Sequence, residues 1–317
     1  MRHDRIEPRH LSWRTLGPGG WHALHATDWG REKSKRVVVC VHGYSGNGRD
    51  FDWLARDLAS NARVICPDIA GRGESAWLSS AYAYNFPQLL SDLRAMLVQV
   101  GAPKVEWVGT SMGGLLGLLL ASESNSPISR LVLNDVGAFV PGDALREIAS
   151  NLEAPKSFAS MEALAAHLKR THGDWGPITE QQWAHLARHH ARPVDGRFAL
   201  HYDPRIASIA QPTPFAPGLS LWSSWYRVRC PVLLIRGERS RIFPREVLDQ
   251  MLDTKPDTEH TEIAGAGHAP SLMAPGQIAR IKTFLLDGKR VRPARRSRAT
   301  VVARAAGRAA DSSARAR

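Results

Sequence analysis

The segment that most constrains how this 317-residue chain can fold is the stretch 105–121. A short apolar run ends in Gly-Thr-Ser-Met-Gly at 109–113, and a long apolar, helix-like run follows at once. A strand, a sharp turn and a helix in that order are the context in which a G-x-S-x-G sequence carries a serine nucleophile on a strained turn. Glycine on each side of Ser111 leaves room for the neighbouring strand and helix. A glycine-rich turn with a surface serine is the alternative, and the flanking pattern favours the nucleophile.

Strand-like and helix-like segments alternate along most of the chain. The predicted strands cover 36–41, 63–68, 105–110, 130–134, 230–237 and 258–263, and one or two edge strands are predicted within 11–30. The predicted helices cover 47–60, 86–100, 112–121, 244–252 and 275–286. This alternation predicts an α/β fold with a mostly parallel, doubly wound sheet.

The alternation stops between 137 and 229. Helix-like segments at 143–152, 160–170 and 179–190 are separated there by joints that contain proline and glycine. We therefore predict a helical cap inserted into the fold. The predicted domains are a first part of the core (1–136), the cap (137–229), a second part of the core (230–287) and a disordered basic tail (288–317).

The net charge of +12 is concentrated in that tail. Ten basic residues and one acidic residue follow position 287, so the remainder of the chain is close to neutral. The tail has no aromatic side chains on which nucleic-acid bases could stack, and we expect no nucleic-acid partner. No glycine-rich phosphate loop of the P-loop or Rossmann type is present.

The cysteine content and the apolar stretches indicate a compartment. Cys40, Cys66 and Cys230 lie in or beside strand-like runs, which is typical of buried free thiols in a reducing environment. The first ten residues have no apolar segment typical of a secretory signal. The run 112–121 is too short to span a bilayer. We expect a soluble cytoplasmic protein with no membrane partner, and the oligomeric state stays open.

Two further loops carry groups with useful chemistry. His42-Gly43-Tyr44 follows a buried strand and can present backbone N–H groups to an anion. His268 lies in Gly-Ala-Gly-His-Ala-Pro after the last predicted strand. Imidazole titrates near neutrality, so it can remove and return a proton at physiological pH.

Together these motifs resemble the α/β-hydrolase superfamily, and the resemblance covers roughly residues 20–287. The order of features is specific: the His42-Gly43 loop, Gly-Arg-Gly-Glu-Ser at 71–75, the serine turn, a helical cap, then the histidine loop. The chain is similar to capped, esterase-like serine hydrolases of that superfamily. The resemblance implies the α/β-hydrolase fold.

The resemblance also implies roles for individual residues. Ser111 would be the nucleophile and His268 the general base and later the general acid. The backbone N–H groups of Tyr44 and Met112 would form the oxyanion hole. No metal or organic cofactor is implied.

The sequence departs from the family pattern at the acidic residue that should orient His268. Many relatives carry an aspartate in the loop after the strand that follows the cap, but here that loop reads Gly-Glu-Arg-Ser-Arg at 237–241. Some members take the acid from the end of the preceding strand, and that position is Asp135. We expect Asp135 to be the acid, with Glu238 as the weaker candidate. A simple capping role for Asp135 is the alternative.

The expected activity is hydrolysis of a small, partly apolar carboxylic ester or related acyl bond through an acyl-enzyme. Carbon-carbon bond hydrolases, lactonases and cofactor-free haloperoxidase-like relatives share the same residues, whereas dehalogenases and epoxide hydrolases carry aspartate in place of the serine. A non-catalytic ligand-binding homologue is the alternative from another class. The predicted pocket residues are His42, Gly43, Trp175 and Trp222.

One remaining pattern is His185 and His189, which are four residues apart on a predicted helix. This is the spacing of a metal-binding pair. No nearby Cys, Asp or third His completes a site, so we expect solvent-facing histidines and no metal site.

Overall fold

The computed structural model describes residues 7–152, 157–210 and 217–286. The predicted basic tail lies outside the described residues. The strands are β1 Arg9–Gly17, β2 Gly20–Trp29, β3 Val37–Val41, β4 Arg63–Asp68, β5 Val105–Thr110, β6 Ile128–Asn134, β7 Phe139–Pro141, β8 Ala191–Val194, β9 Arg197–Leu200, β10 Gly218–Ser220, β11 Val232–Gly237 and β12 Glu259–Ile263. The helices are α1 Asp52–Leu58, α2 Phe86–Val100, α3 Met112–Ala121, α4 Gly142–Asn151, α5 Met161–His172, α6 Glu180–His190, α7 Arg205–Ala210, α8 Trp222–Arg227, α9 Arg245–Thr254 and α10 Pro275–Leu286.

Eight strands form one sheet in the order β1-β2-β4-β3-β5-β6-β11-β12. All pairs from β4 to β12 are parallel, whereas β1 and β2 are antiparallel additions at one edge. The predicted α/β class, the mostly parallel sheet and the strands within 11–30 are therefore confirmed. The carboxyl ends of β5, β6, β11 and β12 all lie at one edge of the sheet, which is where such folds place their sites.

The sheet is covered on both faces, as the uninterrupted apolar runs predicted. In β3, Val39 and Val41 belong to one hydrophobic cluster, and Val38 and Cys40 belong to a second. The first cluster includes side chains of α2, α3, α8 and α9, and the second includes those of α1 and α10. Alternate residues of a strand point to opposite faces, so both faces of these parallel strands are buried.

The segment between β6 and β11 contains α4 to α8. The predicted helices at 143–152, 160–170 and 179–190 correspond to α4, α5 and α6. Two short strand pairs, β7 with β10 and β8 with β9, were not predicted. Strands of three or four residues carry too few alternating positions to stand out from loop sequence.

No helix within the described ranges is long and apolar enough to cross a membrane. Cys40 and Cys66 are buried free thiols, as expected, whereas Cys230 is only half-buried.

Candidate active site

Ser111 occupies a strained turn between β5 and α3. Its φ of 51° and ψ of −116° lie in a region that L-residues rarely adopt. The two flanking glycines are required by contact, because a Cβ on Gly109 would stand 2.3 Å from the carbonyl oxygen of Gly113, and a Cβ on Gly113 would stand 2.1 Å from that of Val41. The Ser111 amide donates to the carbonyl of Asn134 at 2.9 Å, which ties the turn to the neighbouring β6.

The structure brings the imidazole of His268 to the hydroxyl of Ser111. His268 Nε2 lies 2.9 Å from Ser111 Oγ, and His268 Nδ1 lies 2.7 Å from Asp135 Oδ2. Since Asp135 can only accept in its ionised form, Nδ1 donates and Nε2 is left to accept the serine proton. Three groups from three separate strand ends thus form one hydrogen-bonded chain.

Asp135 is completely buried and fully hydrogen-bonded. Besides His268, it accepts from the Gly237 amide at 2.7 Å and from Ser240 Oγ at 2.6 Å. The serine that stands in the loop where relatives carry an aspartate therefore binds the carboxylate supplied by β6. Nothing in the sequence pointed to this role except the departure from the family pattern.

Glu238, the weaker candidate for the acid, lies elsewhere. Its side chain is exposed, and its Oε2 accepts from the Gly265 amide at 2.7 Å. It makes no hydrogen bond to His268.

The amides of Tyr44 and Met112 are available for an anion. Within the described residues, neither N–H donates to a protein acceptor. Met112 is the first residue of α3, so its amide also lies at the positive end of the helix dipole. Met112 directly follows Ser111, and the Tyr44 loop lies beside it, since a Cβ on Gly43 would stand 3.7 Å from Ser111 Cβ. Stabilisation of a negative oxygen requires such fixed donors near the nucleophile.

Two buried side chains hold the Tyr44 loop. His42 Nε2 accepts from the Ile69 amide at 3.0 Å, and its Nδ1 donates to the Gly43 carbonyl at 2.7 Å. Burial lowers the pKa of His42, which favours the neutral ring that this pairing needs. Arg72 donates to the Tyr44 carbonyl at 2.9 Å and lies over the Tyr44 ring. The sequence predicted no role for Arg72 in holding this loop.

The segment between β6 and β11 also binds the histidine loop directly. The amide of His268 donates to Asp174 Oδ2 at 3.2 Å, and the indole N–H of Trp175 donates to the His268 carbonyl at 3.1 Å. On the core side, Asn134 Nδ2 donates to the Pro270 carbonyl at 2.8 Å. The backbone around the imidazole is therefore fixed from both sides.

A cavity of about 140 Å³ opens beside Ser111 and His268. Of the predicted pocket residues, Gly43 and Trp175 line it. His42 and Trp222 are not among the lining residues: His42 is buried beneath its loop, and Trp222 stacks on Tyr226. A histidine or a tryptophan can serve either as a pocket residue or as a packed structural residue, and only the folded contacts distinguish the two roles.

His185 and His189 differ from the expectation of solvent-facing side chains. Both are half-buried, and the buried Asp52 of α1 joins them, so that ligand atoms of all three lie within 4.8 Å of one another. This group could hold a metal ion. The Asp52 carboxylate is, however, already paired with Arg49 at 2.6 to 2.9 Å, and that fixed positive charge opposes a second cation. The group links α6 to α1 as a polar network.

Comparison with known proteins places the chain in a family. The profile of the α/β hydrolase fold matches residues 36–275. The chain is 38% identical over 272 residues to a 3-hydroxybutyrate-oligomer hydrolase of Cupriavidus necator. The matched region covers 83% of this chain and 93% of the relative. It is 26% identical over 262 residues to the esterase YbfF of Escherichia coli, with coverage of 79% and 93%.

A solved α/β hydrolase from Novosphingobium aromaticivorans superposes with a TM-score of 0.78 at 32% identity, covering 88% of this chain and 99% of that one. The family match spans the strands from β3 to β12, the serine turn and the whole segment between β6 and β11, and the relatives are named as hydrolases and esterases. The chain belongs to the α/β-hydrolase family and is a hydrolase of that fold.

Proposed function

We propose that this hydrolase cleaves a small carboxylic ester through an acyl-enzyme on Ser111. The observation that carries the proposal is the hydrogen-bonded chain from Ser111 Oγ to His268 at 2.9 Å and from His268 to Asp135 at 2.7 Å. In this assignment Ser111 is the nucleophile, His268 is the general base, and Asp135 orients the ring and stabilises its protonated form. The Tyr44 and Met112 amides form the oxyanion hole.

In the first half of the reaction, His268 Nε2 takes the proton of Ser111 as the serine oxygen adds to the ester carbonyl carbon. The negative carbonyl oxygen is stabilised by the two amides. The bond to the alcohol oxygen then breaks, and His268 returns its proton to that oxygen. The products of this half are a free alcohol and an acyl group on Ser111.

In the second half, water replaces the alcohol. His268 removes one proton from the water as its oxygen adds to the acyl carbon, and the bond to Ser111 Oγ breaks. The serine oxygen takes the proton back from His268, and the carboxylic acid leaves.

The cavity supports a short acyl group as the substrate. Pockets for drug-sized ligands have volumes of about 300 to 1,000 Å³, so about 140 Å³ is small. The relative named above acts on 3-hydroxybutyrate oligomers. We therefore propose short esters of the 3-hydroxybutyrate type as the substrate class, and the segment 137–229 as a cap that supplies much of the pocket wall.

The test is covalent labelling with a fluorophosphonate probe, followed by hydrolysis of p-nitrophenyl butyrate. We expect one probe per chain on Ser111, hydrolysis of the ester, and loss of both in Ser111→Ala. Ser60→Ala, which removes an exposed hydroxyl, is the matched control and should retain both. Folded protein that neither labels nor turns over would instead support a ligand-binding homologue. Labelling with turnover of a vinylogous diketone but no ester would support a carbon-carbon bond hydrolase.

A further inference from the structure

The cavity beside Ser111 has a polar wall that the ester chemistry does not use. Asp50, on the turn before α1, and His190, the last residue of α6, both line it. His190 Nε2 donates to Asp50 Oδ1 at 2.6 Å, and the side chains are only 16% exposed for Asp50 and 6% for His190. A carboxylate buried in a pocket wall must be held by hydrogen bonds, and it also selects what can lie beside it.

Asp50 has acceptor capacity left over. Its Oδ1 accepts from His190, and its Oδ2 accepts from the Asn47 amide at 3.3 Å. Two carboxylate oxygens offer about four lone-pair positions, so part of this capacity faces the cavity. Burial opposes ionisation of Asp50, but the charge and hydrogen bond of His190 outweigh it, and the pKa of Asp50 is lowered. Near neutral pH the group accepts hydrogen bonds and repels other anions.

The rest of the wall offers no fixed positive charge to an anion. None of the described residues that line the cavity is a lysine or an arginine. Burial and the nearby His190 lower the pKa of His172 to about 4, so this ring is neutral at physiological pH. Burial and Arg170 likewise lower the pKa of His167. A hydroxyl group suits this wall, whereas a substrate carboxylate does not.

Asp50 and the nucleophile line the same cavity. One short turn, closed by the Gly46 amide and the Gly43 carbonyl at 3.4 Å, lies between them. A Cβ on Gly43 would lie 3.7 Å from Ser111 Cβ, and a Cβ on Gly46 would lie 2.2 Å from Asp50 Oδ2, so one end of the turn packs against Ser111 and the other against Asp50. An acyl group attached to Ser111 therefore extends into a cavity whose wall includes the Asp50 carboxylate.

We propose that Asp50, positioned by His190, is the residue that selects β-hydroxyacyl groups by accepting a hydrogen bond from their hydroxyl. This inference rests on the proposed ester hydrolysis. The cavity, at about 140 Å³, is smaller than the pockets of about 300 to 1,000 Å³ that hold drug-sized ligands, so it suits one hydroxybutyryl unit better than a whole oligomer. The enzyme therefore takes the hydroxyl end of an oligomer into the cavity, and 3-hydroxybutyrate is released one unit at a time from that end.

The first experiment compares two esters on the same preparation: p-nitrophenyl 3-hydroxybutyrate and p-nitrophenyl butyrate. The ratio of their kcat/KM values does not depend on how much of the protein is folded. We expect Asp50→Asn to lower the ratio by about tenfold, because a hydrogen bond to a charged acceptor is lost. Asp57→Asn, which changes an exposed carboxylate of α1, is the matched control and should leave the ratio unchanged.

The second experiment uses 3-hydroxybutyrate trimers with a free hydroxyl end or with that end converted to a methyl ether. We expect the free trimer to release monomer first and the capped trimer to react at least about tenfold more slowly. An unchanged ester ratio in Asp50→Asn, or equal rates for the two trimers, overturns this inference while butyrate hydrolysis continues. Failure of the unmodified protein to hydrolyse either ester, with no labelling of Ser111, overturns the proposed function as well.

Discussion

The Ser240 hydroxyl donates a hydrogen bond to Asp135 Oδ2 at 2.6 Å, although the two residues are 105 positions apart and follow different strands. The Ser240 hydroxyl also accepts from the Phe243 amide at 3.1 Å, so its orientation is fixed. It stands in the loop that follows β11, so this loop contacts the site through a hydroxyl donor, whereas the carboxylate comes from the residue that follows β6.

Replacing Asp135 with asparagine should separate catalysis from folding. An amide of the same shape can no longer hold the His268 ring in the tautomer that accepts the serine proton, and we expect kcat to fall by about 10³- to 10⁴-fold. Steady-state kinetics with p-nitrophenyl butyrate measures this. Glu238→Gln is the matched control and should retain activity. The reverse result would assign the acid to Glu238.

Ser240→Ala should lower both stability and rate. The variant leaves one position of a buried carboxylate without its donor, and hydrogen bonds to charged groups contribute about 1.5 to 3 kcal/mol. We expect the free energy of unfolding in urea to drop by that amount, together with a lower kcat. Ser60→Ala, an exposed hydroxyl replaced, should change neither. If Ser240→Ala keeps full stability, the contact with Asp135 is not a stabilising one.

Gly113→Ala should prevent the serine turn from forming. The added methyl group would lie 2.1 Å from the Val41 carbonyl oxygen and 2.8 Å from that of His42, and backbone atoms cannot move aside as a flexible side chain can. We expect little folded protein, measured by circular dichroism and fluorophosphonate labelling. Gly276→Ala in α10 meets nothing within 4 Å and should be neutral or stabilising by up to about 1 kcal/mol. Normal labelling of Gly113→Ala would contradict the packing described here.

Acid should destabilise the protein partly through His172. In the unfolded chain this ring takes up a proton near its ordinary pKa of 6.5, but in the folded protein burial delays protonation until about pH 4. Between these values the unfolded state binds more protons, so the free energy of unfolding decreases as the pH falls. His172→Gln should reduce the loss of stability between about pH 7 and about pH 5, measured by urea titration. An unchanged pH dependence would mean that His172 is not held neutral.

The sequence alone was sufficient to predict those parts of the fold that depend on a local residue pattern. Apolar strands such as 36–41 and the glycine pair around Ser111 are specified by neighbouring residues, and the structure has them where they were predicted. The adjacency of β5 and β6, which brings Asp135 near Ser111, followed from the predicted parallel sheet.

Contacts between distant segments could not be predicted in the same way. Asp50, on the turn before α1, meets His190 of α6 across 140 positions, and Asp52 of α1 meets His185 of the same helix, yet neither pair has a periodic signature. Arg72 is completely buried beneath Tyr44, a position that arginine rarely takes without carbonyl acceptors that only the folded loop supplies.

The backbone of His268 donates to Asp174 and accepts from Trp175, which matters for any attempt to change the substrates of this hydrolase. The same inserted segment contributes pocket wall and holds the backbone of His268, so we expect a redesign that shifts the wall to displace the imidazole as well. Substrate range and turnover are mechanically linked here. Leu168 and Leu200 also line the cavity and make none of these hydrogen bonds, so we expect substitutions there to alter specificity with less disturbance to His268.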